Sequence, residues 1–249
     1  MADAPADPAS ARPAYYAAGS GRWRDGWTIL HPPYTAWHLS YVVIGACLAP
    51  VVNVTRLLAT LAAFFFAVGI AAHALDELHG RPLKTQLPAG VLRGAVVVGL
   101  GVAVGLGVVG VVEVGWPLIP LIVIGPFLVV SYNAELFGGV VHTDAGFAVS
   151  WGSFPVLTAY VAQTGTLRVA PVLAAGGAFA LSLAQRSLST PARHLRRRAA
   201  SVRGSIEMLD GTTVDLDRGA VLAPLETALR AMSWGMVLVA AALAVAQLT

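Results

Sequence analysis

Charged residues are scarce in this 249-residue chain, where they make up 12% of the sequence. Soluble globular domains carry about 25% charged residues. Hydrophobic residues make up 57%, and the mean hydropathy is +0.72. There are too few charged side chains to cover the surface of a water-soluble fold, so that class is excluded, and we expect the chain to be surrounded by a lipid bilayer.

Cysteine and lysine are also nearly absent. Cys47 is the single cysteine, which excludes an internal disulfide, a Cys-x-x-Cys redox pair and a multi-cysteine metal centre. The chain has 16 Lys and Arg residues, and all of them except Lys84 are Arg. The formal net charge of +3 does not by itself indicate a basic nucleic-acid-binding surface, so we expect no nucleic-acid partner.

Apolar stretches without Asp, Glu, Lys or Arg are long enough to cross a bilayer about seven times. They run approximately over 34–55, 57–75, 94–112, 114–134, 145–167, 169–185 and 220–248. The sequence therefore predicts an all-α, polytopic membrane helix bundle that forms one domain over 27–249. The preceding Ala/Pro/Asp-rich segment, 1–26, is predicted to be disordered.

The basic residues are distributed unevenly between the two sides of this topology. Only Arg56 and Arg168 fall in loops on one side. The positive-inside rule then places the N-terminus in the cytoplasm. We expect the membrane to be a bacterial-type inner membrane. The longest polar segment, 186–219, is predicted to be a cytoplasmic basic loop followed by a β-hairpin that turns at Asp210-Gly211.

Glycine is frequent in the third apolar stretch. Gly101 and Gly105 stand four residues apart, a spacing that favours close contact between helices in lipid.

Ionisable side chains at membrane depth are costly, so they mark candidate functional sites. A first cluster ends the second apolar stretch and contains His73, Asp76, Glu77, His79, Arg81 and Lys84. A second cluster follows the fourth stretch and contains Tyr132, Asn133, Glu135, His142 and Asp144. In the seven-span topology both clusters lie at the cytoplasmic mouth of the bundle.

The first cluster, with its continuation Gly80-Arg81-Pro82-Leu83, resembles the first aspartate-rich motif of the UbiA superfamily of intramembrane prenyltransferases. Tyr132-Asn133-x-Glu135 with His142-x-Asp144 is similar to the second acidic motif of that superfamily. The resemblance covers roughly 29–165 and describes a shortened, divergent relative. His73 stands where the family has an aspartate.

This resemblance implies an integral membrane enzyme that ionises a prenyl diphosphate and then transfers the prenyl group to an acceptor or cyclises it, as terpene synthases do. It implies magnesium ions held by the carboxylates Asp76, Glu77, Glu135 and Asp144, with Asn133 as a neutral ligand. Arg81 and Lys84 would bind the diphosphate, and Tyr132 would contribute to the substrate site. The implied partners are an isoprenoid or lipid substrate and the membrane lipids.

Two other interpretations stay open at this point. Together with the four carboxylates, the imidazoles of His73, His79 and His142 suit iron, manganese or zinc better than magnesium, which predicts a membrane metalloenzyme that acts on a lipid or isoprenoid. The third interpretation is a non-enzymatic lipid-binding or transport protein.

Overall fold

The computed structural model describes residues 12–18 and 21–249. Helices and one small sheet make up the main ordered elements of this part: α1 (Arg22–Ile29), α2 (Pro32–Cys47), α3 (Val54–Leu78), α4 (Ala89–Val114), α5 (Trp116–Asn133), α6 (Asp144–Thr164), α7 (Val169–Arg197), β1 (Gly204–Glu207), β2 (Thr213–Leu216) and α8 (Arg218–Leu248). A short 3-10 segment, Leu136–Gly139, connects α5 to α6. The predicted all-α membrane bundle is confirmed.

Six helices, α3 to α8, are long and apolar enough to cross a membrane. The first of the seven predicted spans is α2, which has only 16 residues and packs against α6 and α8. At 1.5 Å per residue it covers about 24 Å, less than the roughly 30 Å of a hydrocarbon core. Large apolar side chains point outwards from α4, α5 and α8, as contact with lipid chains requires: Val97, Val112, Val123 and Leu238.

Two of the spanning helices contain a π-helical segment, Phe65–Ala72 in α3 and Ala148–Ser153 in α6. Such segments are rare and occur often at functional sites. In α6, the carbonyl of Trp151 accepts a hydrogen bond from Nδ1 of His38 at 2.9 Å. The π-helical segments therefore alter the backbone hydrogen bonding where α2, α3 and α6 meet.

The predicted basic loop is partly helical, which corrects the sequence interpretation. Helix α7 continues to Arg197 because Gln185, Ser189 and Ala192 keep burying one face at helical spacing. The predicted hairpin is confirmed: β1 and β2 pair antiparallel from Gly204↔Leu216 to Glu207↔Thr213.

The N-terminal prediction is wrong for part of 1–26. Residues 1–11, 19 and 20 lie outside the described part, whereas 12–18 pack against the bundle and α1 begins at Arg22. Ala14 and Ala17 are buried, and the backbone N–H of Ala18 donates to Oγ1 of Thr28 at 3.0 Å. We call residues 12–18 the N-terminal strap.

Candidate functional site

A cavity of about 410 Å³ lies at the arginine-rich end of the bundle, enclosed by α2, α3, α5, α6, α7 and the N-terminal strap. We call it the polar cavity. Five of the six histidines line it: His31, His38, His73, His79 and His142. This is the end that the positive-inside rule places in the cytoplasm.

The first predicted cluster is divided by the structure. His73 and Asp76 line the polar cavity from α3, and His79, the residue directly after this helix, lines it as well. Nδ1 of His73 donates to the carbonyl of Gly69 at 3.2 Å, so the proton of the neutral ring is on Nδ1. His73 and Asp76 share a face because they are three residues apart on a helix.

Glu77 faces away from the cavity and organises the chain after α3. It is fully buried, and its carboxylate accepts hydrogen bonds from the backbone N–H of Leu83 at 3.0 Å and from the N–H and hydroxyl of Thr85, each at 2.8 Å. The lone pairs that would bind a metal ion are thus engaged by the loop. The geometry assigns Glu77 a structural role.

Arg81 and Lys84 belong to the same loop. Arg81 donates to the carbonyls of Thr85 at 3.2 Å and Leu87 at 2.6 Å, which ties the loop together. Lys84 is exposed. The polar cavity is lined by other cations instead.

The second predicted cluster mostly lies on the cavity. Tyr132, Asn133, Glu135 and His142 line it. The ring of His142 stacks on that of Tyr132, with centroids 4.5 Å apart, and its Nδ1 donates to the carbonyl of Tyr132 at 2.9 Å. Glu135 Oε1 lies 3.9 Å from Nε2 of His79 and 4.0 Å from Nε2 of His142, so the two clusters meet at the cavity mouth.

Asp144 lies on the outside and forms an ion pair with Arg186, whose Nε is 2.8 Å from Oδ1. The four predicted carboxylates therefore do not converge: Asp76 and Glu135 line the cavity, while Glu77 and Asp144 are engaged elsewhere. Among residues 12–18 and 21–249, no three His, Cys, Asp or Glu side chains are grouped closely enough to hold a metal ion. The residues as placed do not fit a magnesium or transition-metal ligand set.

The sequence interpretation left the arginines of α7 out of the candidate site. Arg186, Arg193 and Arg197 all line the polar cavity. They stand seven and four residues apart, which puts them on one face of a helix. The signal was present as this spacing, but it was hidden because the segment was assigned to a loop.

The N-terminal strap covers the cavity and contacts these arginines. The carbonyl of Pro13 accepts from Nε of Arg197 at 3.2 Å. The guanidinium of Arg230 lies 4.9 Å from the centroid of the Tyr15 ring, a distance typical of cation–π contact. Burial raises the pKa of Tyr15 to about 12, so its hydroxyl stays protonated.

His31 is held between the strap and α3. Its ring stacks on that of His73 with centroids 4.2 Å apart, and its Nδ1 lies 2.8 Å from the hydroxyl of Tyr16. Burial, followed by the nearby His73 and arginine charges, holds the pKa of His31 well below its usual range. Burial also raises the pKa of Tyr16 well above 10, so both groups are neutral at physiological pH.

A second cavity, of about 490 Å³, lies between α3, α4, α5 and α6 at membrane depth. It is lined mainly by apolar side chains such as Phe64, Ile122 and Phe154, and we call it the apolar cavity. Val68 and Trp151 line both cavities. These two residues lie in the two π-helical segments, so the two cavities adjoin where the backbone is altered.

No family model, curated protein or solved structure matches this chain. The resemblance to the UbiA superfamily therefore rests on the sequence motifs alone.

Proposed function

We propose that this protein is an integral membrane enzyme that binds an isoprenoid diphosphate and breaks the bond between the chain and the diphosphate. The observation that supports the proposal is that a cationic cavity and an apolar cavity share two lining residues, Val68 and Trp151. The cationic cavity suits a charged head group, and the adjoining apolar cavity suits the hydrocarbon chain of the same molecule.

The arginines supply the binding energy for the head group. Five arginines line the polar cavity, against the carboxylates of Asp76, Glu135 and Glu226. Glu226 is neutralised by Arg196, with which it forms a two-pronged ion pair. Guanidinium groups bind phosphate oxygens through paired N–H donors, so this surplus of cations suits a diphosphate.

The reaction follows from the same arrangement. As the carbon–oxygen bond breaks, its electron pair goes to the diphosphate oxygen, and the fixed guanidinium charges stabilise the leaving group. The carbon that is left carries positive charge next to the rings of Trp151 and Tyr132, which lie 5.8 Å apart. An acceptor nucleophile or a double bond of the same chain then quenches the cation, which gives transfer or cyclisation.

The test is the release of diphosphate from isoprenoid diphosphates of increasing chain length by the full chain in lipid nanodiscs, with and without an added divalent cation. We expect turnover for chains that fill the apolar cavity. We also expect a 10- to 100-fold loss in Arg193→Gln, roughly the value of a hydrogen bond to a charged group. Arg203→Gln is the matched control, because Arg203 precedes the exposed hairpin.

Two outcomes would contradict the proposal. If no isoprenoid diphosphate is turned over under either condition although it binds, the lipid-binding or transport interpretation takes its place. If Arg203→Gln loses as much activity as Arg193→Gln, the arginine effect is a general charge effect and the polar cavity is not the reaction site.

A further inference from the structure

Three of the five arginines that line the polar cavity form no ion pair with a carboxylate in the described part of the chain: Arg193, Arg197 and the exposed Arg198. Arg186 is paired with Asp144, and Arg196 with Glu226. Arg193 and Arg197 act electrostatically on Asp76, and neither forms an ion pair with a carboxylate in the described part of the chain. Arg193 donates to the hydroxyl oxygen of Thr190 at 3.3 Å and Arg197 to the carbonyl of Pro13 at 3.2 Å, and both of these oxygens are neutral. This leaves both guanidinium charges for a ligand.

The same cavity holds buried polar atoms that have no partner among the described residues. They are the hydroxyl of Tyr15, Nε2 of His31 and Oε1 of Gln185, of which Oε1 is an acceptor and so is not a partner for a phosphate oxygen. All three residues line the cavity, and of these atoms a ring nitrogen of His31 that carries a proton can donate to an anion. An unsatisfied buried polar atom costs about 1–3 kcal/mol, which a ligand that supplies the missing partner would recover.

The contact with Tyr16 bears on which ring nitrogen of His31 carries the proton. The Tyr16 hydroxyl lies 2.8 Å from Nδ1 of His31, and a phenol hydroxyl donates to a ring nitrogen that carries no proton. A neutral imidazole carries one proton, so a hydrogen bond accepted at Nδ1 leaves the proton on Nε2. His31 then presents an N–H donor, which suits a phosphate oxygen and not a metal ion at that nitrogen.

We propose that the diphosphate group binds in the polar cavity directly to the guanidiniums of Arg193 and Arg197 and to the Nε2–H of His31, with no bridging metal ion. Tyr16 acts as the positioning residue for His31. The inference uses the ligand class of the proposed function, and it assigns the head group to a set of N–H donors. The carboxylates implied by the UbiA resemblance do not hold it.

Binding is measured separately from turnover. The probes are inorganic diphosphate and a hydrolysis-resistant isoprenoid thiodiphosphate, titrated calorimetrically into the full chain in nanodiscs. Each titration is run in excess EDTA and again with magnesium. We expect affinities that agree within about twofold between the two conditions, and a 10- to 100-fold weaker affinity in both Arg193→Gln and Arg197→Gln. Arg203→Gln should bind as the unchanged protein does.

The Tyr16→Phe variant tests the positioning role with a second readout. The ¹⁵N chemical shifts of the His31 ring, assigned by comparison with His31→Gln, should show the Nε2–H form in the unchanged protein and a mixture of tautomers in Tyr16→Phe. Binding should weaken severalfold in that variant. Unchanged ring shifts in Tyr16→Phe would overturn the positioning role.

Binding that requires magnesium, or that survives both arginine substitutions, would overturn the direct donor site. Binding in EDTA without turnover of any isoprenoid diphosphate would support the donor site and overturn the proposed reaction. The two probes distinguish a free diphosphate ligand from an isoprenoid diphosphate ligand. Equal affinities mean that the diphosphate group alone accounts for binding. Tighter binding of the thiodiphosphate means that the isoprenoid chain contributes to the affinity.

Discussion

At the scale of single residues, Glu77 shows how a motif residue can have a purely structural task. Its carboxylate is fully buried and satisfies two backbone N–H groups and one hydroxyl of the loop after α3. The sequence placed it next to Asp76 and therefore in the same site. Adjacent helical residues point about 100° apart, so only one of the two can face the cavity.

We expect Glu77→Ala to destabilise the protein by about 3 kcal/mol or more, because it leaves buried donors without an acceptor. The measurement is the apparent melting temperature in detergent, with and without EDTA. Glu207→Ala, on an exposed strand of the hairpin, is the control and should melt like the unchanged protein. A melting temperature of Glu77→Ala that is normal in EDTA would contradict the structural role.

His31 makes stability depend on pH. Its folded-state pKa lies well below the unfolded value because of burial, so the unfolded chain takes up a proton that the folded chain refuses. Above about pH 6.5 this difference in proton binding does not lower the free energy of unfolding. Below that pH the free energy of unfolding falls, by about 1.4 kcal/mol at pH 5.5. His73, His38, Tyr16, Arg193 and Arg197 surround the ring.

The check compares apparent melting temperatures at pH 7.5 and pH 5.5. We expect His31→Gln to lose less stability between these values than the unchanged protein. His194→Gln is the matched control, since His194 is exposed on α7 and should leave the difference unaltered. Equal pH dependence in all three proteins would refute the contribution of His31.

At the scale of helices, the sequence predicted which segments are helical far better than which faces meet. Gly101 and Gly105 have the spacing of a contact motif, yet a Cβ atom at either position would meet nothing within 4 Å. Gly99 makes the close contact instead, because a Cβ there would lie 2.6 Å from the carbonyl oxygen of Phe66. A helix that is apolar all round carries no pattern that distinguishes its lipid face from its packed face.

These two positions on α4 give a matched pair. Gly99→Ala should destabilise the bundle, since backbone must move to admit the methyl group. Gly101→Ala should be neutral or stabilising by up to about 1 kcal/mol, because alanine has the higher helix propensity. Thermal stability of the two variants in the same detergent is the measurement, and the reverse order would contradict the packing of α4 on α3.

The polar cavity was predictable from the sequence only in part. His73, Asp76, His79 and the second cluster were found because ionisable residues stand out at the ends of apolar stretches. The arginines of α7 and the strap residue Tyr16 were missed, since their positions depend on a helix that continues beyond the bilayer and on tertiary contacts 15 residues apart in sequence.

At the scale of the whole molecule, the distribution of arginines predicts that the polar cavity opens to the cytoplasm. In a Cys47→Ser background, Leu209→Cys at the hairpin turn should react with a membrane-impermeant maleimide only after the cells are opened. Thr166→Cys, exposed at the opposite end between α6 and α7, should react in intact cells. The opposite labelling pattern would invert the topology.

The length of α7 also places the site in a particular layer of the membrane. Its 29 residues measure about 44 Å, against roughly 30 Å of hydrocarbon, and the surplus carries the cavity arginines. In the expected topology the cavity arginines therefore lie at the depth of the lipid head groups, where anionic lipids are concentrated. On the proposed function, the lipid composition of the leaflet acts as a competing ligand, and a bilayer rich in anionic lipid raises the substrate concentration that half-saturates the enzyme.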